Sequence, residues 1–164
     1  MPRTRRARPR GTTSGLSVAV STDGIRTPVP RAPYARLAAF VLRAEGVRAA
    51  LLSVTFVSAR AIAQLNATHL GHAGPTDVIS FGLRPEKGGA PAVVGDVYLC
   101  PSVARSNAQR FGTTTRRELE RLVVHGTLHV LGWDHDEGAG RERSKMWSRQ
   151  EALLRSWNRS ESRA

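Results

Sequence analysis

Cysteine, aromatic residues and acidic residues are all scarce in this 164-residue chain. Its single cysteine, Cys100, excludes an internal disulfide framework and fits a reducing compartment. No run approaches the ~18 apolar residues of a membrane helix, so neither a helical span nor a membrane partner is expected. Aromatics make up 5% of the residues, so a base-stacking platform of the kind single-strand binders use is not evident. Against 13 acids stand 25 lysines and arginines, a net charge of +12. Hydrophobic residues account for 40%, and a chain of this length buries roughly two thirds of its unfolded surface around one core. The expectation is a basic, cytoplasmic, single-domain protein. Basic domains meet polyanions because each neutralised phosphate releases condensed counterions.

The charge is uneven. Arg3, Arg5, Arg6, Arg8 and Arg10 lie in the first ten residues with no acid among them. Prolines there break an amphipathic helix, and no apolar run marks a secretory signal. Residues 1–14 therefore read as a disordered basic tail, 15–156 as the folded domain and 157–164 as a second disordered tail.

Within the domain, Leu16 to Val20 is a valine-rich strand, and Leu37, Phe40, Val41 and Ala44 fall at helical spacing before a stop at Gly46. Ala50 to Val57 is β-branched and apolar, a second strand. Ser58 caps a helix over about Ala59 to Thr68, which the stretch from Gly71 to Pro75 breaks. Further strands are expected at Asp77 to Phe81 and Val93 to Cys100, with a mobile Gly/Pro-rich loop from Arg84 to Ala92 between them. Pro101 opens a helix that Gly112 ends. Thr115 and Glu118 have capping-box spacing for a helix that runs to about Leu131 and stops at Gly132. Arg141 to Trp157 forms the last helix, with Met146, Leu153 and Leu154 inward. Strands mixed with helices and short connections indicate one α+β or α/β domain.

The five histidines are His69, His72, His125, His129 and His135. On a helix, residues four apart stack on one face with Cβ atoms about 6 Å apart. His125 and His129 can thus aim two imidazoles at one point. Gly132 can adopt the positive φ that reverses the chain, and His135 returns three residues later. A lone histidine on an apolar face is usually a core residue bonded to a carbonyl; three at these offsets point to a metal. Three neutral imidazoles at about 2.0–2.1 Å, with a fourth position left for water, describe a catalytic zinc site. The spacing H-x-x-x-H-x-x-G-x-x-H also matches the metzincin proteases, which carry Glu after the first histidine as general base. Here that residue is Gly126, which has no side chain to move a proton. A conventional zinc protease is therefore disfavoured.

The stretch H-G-T-L-H-V-L-G-W-D-H resembles the signature of the YbeY-type endoribonuclease (rRNA maturation factor) family. Leu65-Asn66, the run from Pro75 to Phe81 and Gly95-Asp96-Val97 support the resemblance, which covers roughly Leu16 to Leu154. It implies an α+β domain in which a small mixed sheet packs against helices, with a metzincin-like metal helix and turn. It also implies a zinc-dependent, single-strand-specific endoribonuclease acting in ribosomal RNA processing and small-subunit maturation. Ribosomal RNA and the small ribosomal subunit are the implied partners, and one zinc ion per chain the cofactor, with His125, His129 and His135 as ligands. One departure stands out. The family commonly has an aromatic-Arg pair shortly after Leu-Asn, whereas the matching residues here are His69 and Leu70. Leu70 cannot neutralise a phosphate, so either a neighbour such as His72 substitutes or catalysis is weaker.

No general base is assigned. Asp134 either accepts an imidazole N–H and fixes its tautomer or caps the turn. Asp96 either lines the cleft or is structural. Arg105, Arg110, Arg116, Arg117 and Arg121 either guide an RNA backbone or form solvated helix faces. Trp133 is expected to pack beside the turn, and Cys100 to be a buried strand residue. The main alternative is a non-catalytic, zinc-stabilised RNA-binding ribosome-assembly factor. A zinc peptidase with a carboxylate supplied from elsewhere comes third.

Overall fold

Alternation of apolar and polar residues builds four strands, β1 (Leu16–Asp23), β2 (Ala50–Val57), β3 (Val78–Leu83) and β4 (Val93–Leu99). A computed structural model describes residues 15–26, 29–83, 93–135, 140 and 144–164. The expected loop from Arg84 to Ala92 and the tail over 1–14 lie outside them. The strands form one mixed sheet in the order β1-β2-β4-β3. β1 and β4 run parallel to β2, and β3 closes the edge antiparallel to β4.

Five α-helices surround the sheet among the described residues: α1 (Arg31–Ala44), α2 (Ala59–Leu65), α3 (Pro101–Phe111), α4 (Thr115–Val130) and α5 (Lys145–Glu161). The domain is therefore α+β, a small mixed sheet packed against helices, as the resemblance implied. Side chains alternate across a strand. Leu52, Val54 and Phe56 of β2 face the same way as Val97 and Leu99 of β4, and all five are buried. They share one core with Leu37, Val41 and Leu42 of α1, Val123 and Leu128 of α4, and Met146 and Leu153 of α5. Burying side chains of this size contributes about 1.5–3 kcal/mol each. A smaller cluster of Val57, Ile62, Ile79 and Cys100 seats α2 on the opposite face.

Close approach of α4 to the sheet depends on three missing side chains. A Cβ on Gly82 of β3 would lie 2.7 Å from the Val130 carbonyl oxygen, and one on Gly95 of β4 would collide with the Val130 side chain. A Cβ on Gly126 of α4 would lie 2.6 Å from Val97 Cγ1. Any other residue at these points would hold α4 off the sheet.

Several boundaries differ from expectation. The helix predicted to reach Thr68 turns π-helical at Asn66–Leu70. Asn66 is buried, its Nδ2 donates to the Gly74 carbonyl (3.0 Å), and the segment ends at Gly71 with φ of 67°. Thr114, not Thr115, caps α4: its hydroxyl accepts the Arg117 N–H at 3.2 Å. That places Arg117 where a capping box requires an acid, and Glu118 turns inward. The expected disordered tail over 157–164 is corrected over its first part, because α5 runs to Glu161. Met146, Gln150, Leu153, Leu154 and Trp157 form one buried stripe at helical spacing. Trp157 packs against Phe40, and Arg36 pairs with Glu161 at 3.2 Å. The start of the last helix predicted at Arg141 lies outside the described residues; α5 is capped by Ser144, which accepts the Trp147 N–H. No helix among the described residues is long and apolar enough to cross a membrane.

Candidate metal centre

The site begins with the end of α4. Gly132 has a φ of 91°. Its N–H donates to the His129 carbonyl (2.9 Å), and the Trp133 N–H donates to that of Leu128 (3.0 Å). This pair of bonds is the Schellman arrangement, which satisfies the last carbonyls of a helix and turns the chain back. The turn delivers His135 to the two histidines of the final helical turns. Ligand nitrogens of His125, His129 and His135 lie within 4.8 Å of one another. Ring centroids stand 4.6, 5.4 and 5.2 Å apart around the triangle.

Hydrogen bonds set the orientation of the rings. His125 Nδ1 lies 2.9 Å from Gln150 Oε1, and His129 Nδ1 lies 2.9 Å from the Trp133 carbonyl oxygen. The Trp133 carbonyl only accepts, so His129 carries its proton on Nδ1 and a lone pair on Nε2, and the Gln150 oxygen favours the same arrangement at His125. Those Nε2 atoms face each other at 3.1 Å. Two inward lone pairs at that separation repel unless a cation or proton lies between them. Among the described residues the buried His135 Nδ1 has no hydrogen-bond partner, a shortfall of about 1–3 kcal/mol. Among the described residues the cluster is three imidazoles, a donor set that fits a borderline-soft divalent metal such as zinc. His125, His129 and His135 are thus positioned to bind a metal ion.

Support for the turn comes from distant elements. Glu45, just after α1, accepts from Trp133 Nε1 (3.0 Å) and from Arg149 Nε of α5 (2.6 Å). Trp133 therefore does more than pack: it contributes an indole donor to Glu45 and a carbonyl acceptor to His129. Asp134 accepts the N–H of the following residue, His135, at 2.8 Å. Asp96 accepts a hydrogen bond from Ser53 on the sheet face opposite α4.

The sequence profile of a family described as Endoribonuclease YbeY matches residues 26–158. The chain belongs to the YbeY family. The endoribonuclease YbeY of Thermobifida fusca is 39% identical over 152 residues, covering 88% of this chain and 96% of that protein. That of Frankia alni is 38% identical over 153 residues, covering 87% and 83%. Among solved structures, the solution structure of TM1509 from Thermotoga maritima has a TM-score of 0.58 and 25% identity, covering 90% of this chain and 93% of that one.

Against the YbeY pattern, Leu70 stands where an arginine is common, and it is 49% exposed at the end of the π-helical turn. His69 packs edge-to-face on Phe81. Neither His69 nor His72 joins the three clustered histidines among the described residues. Of the predicted basic residues, Arg116 pairs with Glu120, Arg121 pairs with Glu118 and Glu151, and Arg110 stacks over Phe111. Arg105 and Arg117 are exposed. Sequence reasoning missed Gln150 and Glu45. A polar residue inside an apolar helical stripe was the available signal for Gln150; Glu45 had none.

Proposed function

We propose that this protein is a zinc-dependent, single-strand-specific endoribonuclease acting in ribosomal RNA processing and small-subunit maturation in the cytoplasm, with His125, His129 and His135 as the zinc ligands. One observation carries the reading: in a member of the YbeY family, Nε2 atoms of His125 and His129 face each other at 3.1 Å and a ring nitrogen of His135 lies within 4.8 Å of them. A zinc ion held by these histidines would supply Lewis-acid polarisation of a phosphoryl oxygen and would lower the pKa of water at the site. The protein's own part is orientation. Acceptors on Gln150 and Trp133 hold two imidazoles with their lone pairs inward, and the turn around Gly132 adds the third. Arg105 and Arg117 are exposed cations available to an RNA backbone.

The test compares cleavage of single-stranded ribosomal RNA by zinc-loaded protein and by His129→Ala. Loss of both metal and cleavage in the variant supports the assignment; unchanged zinc content in the variant overturns the ligand set. Leu70 favours a second reading, a non-catalytic, zinc-stabilised RNA-binding ribosome-assembly factor. Equal and negligible cleavage by a zinc-replete wild type would establish that reading instead.

A further inference from the structure

Gln150 is the only polar member of the buried stripe of α5, and it is 1% exposed. A buried carboxamide costs free energy unless its donors and acceptors are used. Its oxygen lies 2.9 Å from His125 Nδ1, and its nitrogen lies 3.5 Å from Glu151 Oε1. The orientation follows from chemistry: an ionised carboxylate only accepts, so the amide nitrogen faces Glu151 and the oxygen faces His125. Glu151 is itself held by Arg121, whose guanidinium lies 5.3 Å from the centroid of the Trp147 ring. The chain of contacts therefore runs from Arg121 through Glu151 and Gln150 to His125.

We propose that Gln150 is a positioning residue for the metal centre, holding His125 in the tautomer that carries its proton on Nδ1 and presents the Nε2 lone pair to the metal. The inference rests on the three-histidine reading above. With its proton on Nε2, the same imidazole would aim an N–H at the site and could not ligate there. Because Gln150 belongs to α5, ligand preparation depends on that helix being docked.

The test uses the full chain with Gln150→Met, which keeps length and apolar packing but removes the acceptor, and Gln150→Glu, which keeps an acceptor. Zinc affinity is read by chelator competition, and the His125 tautomer by nitrogen NMR of metal-free protein at a pH where the ring is neutral. Outer ligand-orienting contacts typically change metal affinity by about 10–100-fold. Gln150→Met is expected to lose affinity in that range and move the His125 proton to Nε2, while Gln150→Glu keeps both properties near wild type. Wild-type affinity in Gln150→Met, or a wild-type His125 already protonated on Nε2, would overturn the proposal. Should Gln150→Met fail to fold, the wild-type tautomer decides: a His125 proton on Nδ1 supports the proposal, and one on Nε2 refutes it. Failure of the wild type to bind zinc would instead sink the ligand assignment, while the tautomer measurement would still judge the Gln150 contact.

Discussion

Gly126 of α4 and Val97 of β4 are in such close contact that a Cβ on the glycine would lie 2.6 Å from Val97 Cγ1, with Ser80 Oγ at 3.0 Å. This is the position where metzincin proteases carry their general base. In this protein a longer side chain there would be driven into the sheet, so the glycine is required by packing. Overpacking a filled core costs about 1–3 kcal/mol. Gly126→Ala should destabilise the fold and melt at a lower temperature, Gly126→Glu should melt lower still, and neither should gain peptide hydrolysis. A wild-type melting temperature for Gly126→Glu would disprove the tight contact.

Glu45 joins the end of α1 to both the metal turn and α5. Its replacement by Ala leaves the Trp133 indole and the Arg149 guanidinium without their shared acceptor, a loss of about 1–3 kcal/mol. Glu45→Ala is therefore expected to reduce stability and, because Trp133 also holds His129, to weaken zinc binding without touching a ligand. Denaturant unfolding together with chelator competition checks both effects. Lower stability with unchanged zinc affinity would separate Glu45 from the site.

Leu70 is half exposed at the end of the π-helical turn, where a longer side chain can reach solvent. Leu70→Arg should fold normally and raise RNA cleavage if the missing cation limits the reaction. Single-turnover cleavage of the same RNA by the two proteins is the measurement. Equal rates would show that this position is irrelevant to the reaction here.

Both tyrosines of the chain titrate above their ordinary value of 10.0: Tyr34 chiefly because it is buried and secondarily because of Glu120, Tyr98 chiefly by burial and then by Asp96. A pKa raised in the folded state stabilises the fold below the unfolded value, and that contribution disappears as pH rises through the folded value. Alkaline titration of phenolate absorbance should thus show no tyrosine ionising at its ordinary pH until the protein unfolds. Tyr34→Phe should lose less stability than wild type between neutral and strongly alkaline pH. A tyrosine ionising at the ordinary pH in folded protein would contradict this.

The elements that local chemistry dictates were legible in the sequence. The β-branched run of β2, Pro101 and Gly112 bracketing α3, and histidines four apart before Gly132 each carry their own signal. Less legible were choices between neighbours and contacts across the chain. Thr114 and Thr115 are equally good caps by type, and only the inward turn of Glu118 selects the first. Trp157 looked like the edge of a tail because its partner Phe40 lies far away in sequence. Gln150 and Glu45 act across separations of 25 and 88 residues, which no local pattern encodes. The close approach of α4 is likewise a property of Gly82, Gly95 and Gly126 together.

The three histidines positioned to bind a metal fall between positions 125 and 135, whereas the sheet that supports them is assembled from strands spread over residues 16 to 99. The donors are therefore neighbours even in an unfolded chain, where a short loop closes at little entropic cost. A metal that also binds the unfolded state stabilises the native one less than its affinity suggests. An ion held there would act as a local clasp on one helix end rather than as a tie across the domain.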